Sequence, residues 1–252
     1  MKRSNTIVRS VMTALLLTIP VIPLLGPSPA LADFGQAPAA SFPKLVPSAS
    51  SPEGFLQEGL KLEQVSKGDL DGDAVADLAM VIRMDDPKNV LKDPDDPERA
   101  PLDTNPRMIA IATADKGGSG YRLATVNTGL IPRLEDANMN DPFVRLSIDK
   151  GVMRLVLEQS MNAGSWSSSN ITFVFRKGLQ EMSLIGYDRT DLHRASGEMT
   201  ETSVNFLTGR QQRSVGNIDS EKKATTWKQL PKKPLETLGM MGDGFSFDPL
   251  NP

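Results

Sequence analysis

Four aspartates stand in the run Asp69-Leu70-Asp71-Gly72-Asp73-Ala74-Val75-Ala76-Asp77-Leu78, at relative positions 1, 3, 5 and 9. Spacing by two in a tight loop turns alternate carboxylates towards one point, and Gly72 allows the sharp bend between them. The backbone carbonyl of Val75, at position 7, can fill the gap before Asp77 closes the shell. Six to eight hard oxygens at about 2.3–2.6 Å suit calcium, whereas magnesium sheds its waters reluctantly. Without a cation the clustered carboxylates repel one another, so ion binding should stabilise the loop. The expected Ca2+ ligands are therefore Asp69, Asp71, Asp73, Val75 and Asp77. The alternative is an acidic Asp-Gly surface turn that holds no ion.

The run is not an EF-hand, because its glycine lies at position 4 and its twelfth position is Met80 rather than Glu. It resembles the calcium loop of FG-GAP/VCBS repeats, whose pattern is Asp-x-Asp/Asn-Gly-Asp-x-x-x-Asp-Leu before an apolar strand. Asp69, Asp71, Gly72, Asp73, Asp77 and Leu78 match it one by one, while Ala74 stands where that family often has Gly. Such proteins normally carry several copies, and no second acidic loop is found in this chain. Over residues 55–238 the sequence is similar to a group of small exported Gram-negative proteins with a single loop of this kind. The shared-looking stretches are Asn105-Pro106-Arg107, Ser203 to Gly209 and Trp227-Lys228-Gln229-Leu230-Pro231. The resemblance implies a calcium-binding periplasmic protein. Some proteins of similar build are immunity proteins that inhibit peptidoglycan hydrolases delivered by rival cells.

Composition narrows the remaining classes. With 28 basic and 31 acidic residues the chain is mildly acidic, which gives no electrostatic footprint for nucleic acid. The absence of cysteine excludes disulfides, thiol catalysis and thiolate metal sites, and one histidine excludes a multi-His site within one chain. Catalytic signatures are missing: there is no Gly-x-Ser-x-Gly elbow and no phosphate-binding glycine loop. His193 falls in a polar turn and reads as a bystander, although a lone His can serve as a general base. No catalytic residue is assigned, and a non-catalytic binding role is favoured. A calcium-dependent envelope hydrolase and a structural envelope protein are the rivals. Among candidate contact residues Trp166, flanked by Gly and Ser, is either a binding aromatic or a ring packed on a sheet edge. Trp227 and Tyr187 read as core or rim. The acidic 85–98 segment would complement a basic, lysozyme-like protein partner.

These residues need a scaffold, and the chain reads as one to be exported. Residues 1–32 have a basic n-region, an apolar run broken by Pro20 and Pro23, and Ala30-Leu31-Ala32 for cleavage, so a periplasmic or secreted mature protein is expected to begin at Asp33. No later segment is apolar enough to span a bilayer. Residues 33–53, rich in Pro, Ala and Ser, read as an extended spacer. From about residue 60 the apolar period is two: Leu78, Met80 and Ile82 face one way, Ala79 and Val81 the other. Strand pairs are expected at 107–114 with 121–128, 143–149 with 152–158, 170–176 with 180–188 and 202–207 with 210–216, each closed by a glycine-bearing turn. This spacing predicts an all-β antiparallel meander, propeller-like or with packed sheets, as a single domain over 54–238. Residues 85–106, with five prolines and seven acids, read as a solvated surface insertion, and 239–252 as a flexible tail, frayed or docked by Phe245 and Phe247.

Overall fold

Strand formation follows the period-two pattern almost throughout. The computed structural model describes residues 34–117, 119–160, 167–178 and 181–250, so the leader and Trp166 lie outside the described residues. The elements are β1 (Ser48–Ala49), β2 (Leu60–Gly68), β3 (Asp77–Met84), β4 (Val90–Leu91), β5 (Leu102–Asp103), β6 (Arg107–Ala114), β7 (Tyr121–Asn127), β8 (Phe143–Asp149), β9 (Val152–Gln159), β10 (Ser167–Lys177), β11 (Met182–His193), β12 (Glu198–Asn205), β13 (Arg210–Asn217) and β14 (Lys223–Gln229). Three short 3-10 turns are the helical content of the described residues, and no helix among them is long and apolar enough to cross a membrane. These residues belong to one compact unit.

The protein is all-β and antiparallel. A five-stranded sheet has the order β1-β7-β6-β3-β2, and a seven-stranded sheet runs β14-β13-β12-β11-β10-β9-β8, an uninterrupted meander. Of the two arrangements the sequence allows, the structure adopts packed sheets. One face of the first sheet (Ala79, Val81, Ile109, Ile111) shares a core with Leu155, Leu157, Ile171, Phe173 and Phe175 of the second. The opposite face (Leu78, Met80, Ile82, Met108) forms a second core with Phe55. Strands β3 and β6 are thus buried on both sides, which explains why β3 carries no polar face.

That second core corrects the spacer expected at 33–53. Phe42, Leu45 and Ala49 pack on it, the Leu123 N–H donates to the Pro47 carbonyl at 2.9 Å, and β1 pairs with β7. The outer sheet face is too apolar to stand in water, and this segment covers it. The C-terminal stretch is docked rather than flexible. Leu238 and Met241 are buried, and the Phe247 ring lies 5.4 Å from Phe173 and 5.2 Å from Tyr187, centroid to centroid.

The two sheets are also joined along their edges. The Gln64 side chain of β2 donates to the Leu146 carbonyl at 2.9 Å and accepts from the Leu146 N–H at 3.0 Å, and the Ser66 Oγ accepts from the Ile148 N–H at 2.9 Å. A primary amide so placed imitates a peptide group and satisfies the β8 edge. Nearby, Arg107 is almost fully buried yet forks onto Glu63 at 2.6 and 2.8 Å and onto Asp141 at 2.9 and 2.6 Å. Burial works against its charge, but the hydrogen bonds it donates to both carboxylates outweigh it and leave the guanidinium above its ordinary pKa.

Residues 85–106 are likewise more than a solvated insertion. They carry the long connection between the adjacent antiparallel strands β3 and β6, tied by the β4–β5 ribbon. Arg133 closes it: its guanidinium donates to the Thr104 carbonyl, to the Thr104 Oγ1 at 3.0 Å and to the Asn89 Oδ1 at 3.0 Å. Asn89, Asp93, Thr104 and Asn105 are buried, whereas Asp85, Asp95 and Glu98 remain exposed.

Candidate metal centre

The acidic loop occupies residues 69–76, between β2 and β3. Its turns are built by its own carboxylates. Asp69 accepts from the Gly72 N–H at 2.6 Å and the Ala74 N–H at 2.9 Å, Asp71 from Asp73 at 3.3 Å, and Asp73 from Val75 at 2.8 Å. These contacts are the local turns that Asp side chains favour. Gly72 and Ala74 both adopt positive φ, 86° and 68°, so the alanine sits where a glycine would be unstrained.

Asp77 opens β3 and anchors the loop from below. It is 1% exposed, and its two oxygens accept from the Leu70 N–H at 2.8 Å and the Ala114 N–H at 2.9 Å. One carboxylate thereby fixes both the loop entrance and the end of β6. Burial pushes the Asp77 carboxyl above its ordinary value, the backbone donors pull it back in part, and the negative charges of Asp71 and Asp73 raise it further. Asp69 moves the other way, held below the usual carboxylate range by the Gly72 and Ala74 N–H groups.

The structure brings three of the expected ligands together. Oxygens of Asp69, Asp71 and Asp77 lie within 4.8 Å of one another, the one such group among the described residues. That spread fits inside a calcium shell, which is about 5 Å across. Asp73 stands outside the triplet and caps the next turn instead. The oxygens of Asp69 and Asp77 already accept N–H bonds, yet each carboxylate oxygen has a second lone pair, so the donor set is compatible with a hard cation. Asp71, the exposed member, has the fewest structural duties.

Comparison with protein-family models, curated proteins and solved structures finds no match for this chain.

The surroundings of the loop were not legible in the sequence. An open cleft of about 680 Å³ beside Asp69–Gly72 is bordered by Asp149, Lys150 and Gly151 of the β8–β9 turn and by Arg176 and Lys177. Gly68 permits this approach, since a Cβ there would lie 2.5 Å from the Ile148 Cγ2. The Lys150-Gly151 turn was expected, but its nearness to the loop arises from sheet packing alone. Arg107 was also missed as a structural centre, because its partners lie 44 and 34 residues away. His193 ends β11, exposed, with its Nδ1 2.7 Å from the Ser196 Oγ. Tyr187 is core, as expected, while Trp227 is 59% exposed at the open sheet edge.

Proposed function

We propose that this chain is an exported calcium-binding protein whose role is binding rather than catalysis, and that it inhibits a peptidoglycan hydrolase. The observation that carries the calcium half is the convergence of Asp69, Asp71 and Asp77 upon a loop whose backbone donors are already satisfied. The ion would be held by these carboxylates, with the Val75 carbonyl, Asp73 and water completing the shell after local adjustment. Its charge would relieve the cost of ionising buried Asp77 and lock β2, β3 and β6 together. The inhibitory half rests on the family resemblance of the sequence. It is also consistent with the exposed acids Asp85, Asp95 and Glu98, which would complement a basic lysozyme-like partner.

Two measurements test the proposal. Thermal melts with calcium and with excess chelator should differ for the natural chain and coincide for Asp71→Asn, which removes a ligand charge at an exposed position. Identical melts of the natural chain in both conditions would sink the calcium assignment. In a turbidity assay the protein should slow clearing of cell-wall substrate by added lysozyme. Clearing by the protein alone would instead identify a hydrolase.

A further inference from the structure

We propose that the free edge of β14 receives an extended acidic peptide of a partner protein as an added strand. Among the described residues strand β14 pairs with β13 on one side only, and it ends the seven-stranded sheet. Every one of its residues is exposed, so the sheet here reaches beyond the core. An unpaired strand edge offers a row of N–H and C=O groups that a second strand can satisfy.

Charge selects what can dock there. Residues 222–233 contain five lysines and no acid in a chain that is acidic as a whole. Arg210 and Arg213 of β13 lie beside them. Among the described residues only Lys223 of these cations is ion-paired, with Glu201 at 2.8 Å. Lysines on an edge discourage pairing between identical chains. Two β14 strands laid side by side would bring together four lysines and no acid, so self-association is opposed while an acidic strand is attracted.

The placement of the charges also separates a peptide from an anionic membrane. In register, Trp227 stands opposite Gln212 and Lys228 opposite Gln211. Lys223 and Trp227 therefore project from one face of the sheet and Lys228 from the other. A flat lipid surface can meet only one of these faces, whereas a strand in the plane of the sheet runs past both. Trp227, with the Arg210 guanidinium 4.7 Å from its ring centroid, offers a large apolar surface at the middle of the cationic stretch.

The test uses the whole protein and a labelled eight-residue peptide with two Glu at each end and Thr and Val between. Fluorescence polarisation should show saturable binding, weakened at least tenfold in a Lys228→Glu/Lys232→Glu/Lys233→Glu variant whose melting matches the parent. N-methylation of alternate peptide residues should weaken binding at least tenfold in one parity and leave it unchanged in the other, because only one peptide edge faces β14. Equal binding by both N-methylated peptides would reduce the contact to charge attraction and overturn the proposal. So would absence of binding, indifference to the lysine reversals, or capture of phosphatidylglycerol vesicles in place of the peptide.

Discussion

Ala74 holds a φ of 68° with a side chain that disfavours it. Replacement by glycine should stabilise the protein by about 1 kcal/mol in urea unfolding. A second residue-level expectation concerns Asp103. Burial alone would raise its carboxyl, but the backbone and side-chain N–H groups of Asn105, with Arg83 and Lys61, outweigh burial and hold it below the usual range. Its contribution is complete above the unfolded value near 3.8 and is lost as pH falls through the lower folded value. Asp103→Asn should therefore cost about 1 kcal/mol near pH 7, a figure discounted for its partial exposure. The gap from the natural chain should narrow as pH falls below 3.8 and through the lower folded value, as read by unfolding at several pH values. At this scale the sequence was informative about residue type and spacing. Four aspartates at alternate positions were visible, and so was the awkward alanine. It was silent on burial: Asp77 differs from Asp71 because the Ala114 N–H of a distant strand reaches it.

Elements were the most legible part of the chain. Alternation located β3, β6, β8 and β9 nearly to the residue, since each has at least one face that water must not reach. Strands β10 and β11 run longer than expected because pairing continues past the core, through polar residues such as Ser169 and Asp191 that carry no apolar signal. Contacts between elements were not readable. The Arg107 fork joins β6 to Glu63 and Asp141 in a setting where losing the cation leaves two carboxylates facing each other. Arg107→Ala should destabilise by about 3 kcal/mol or more, and Arg107→Lys should recover only part of it, because an ammonium cannot span two carboxylates in a planar fork. Gly68→Ala should cost about 1–3 kcal/mol by driving Ile148 from its place, as read by urea unfolding.

At the scale of the whole molecule the two terminal segments behave differently from their composition. Proline, alanine and serine before residue 54 suggested a loose tether, yet Phe42 and Leu45 pack, together with Phe55, on an apolar sheet face. Composition reports what a segment could do alone, and here the apolar sheet decides. Phe247, set among Phe173, Tyr187 and Phe206, does the same at the other end. Phe247→Ala should lower stability by about 3 kcal/mol. Removing residues 34–56 should leave a protein that binds a hydrophobic dye strongly and associates in sedimentation, because Leu78, Met80, Ile82 and Met108 lose their cover. Synthesis proceeds from the amino end, so Phe42 and Phe55 leave the ribosome well before β6 and β7 exist to receive them. Strands β2 and β3 can meet these rings first, and their cover is complete only when β7 has followed, some seventy residues after Phe55.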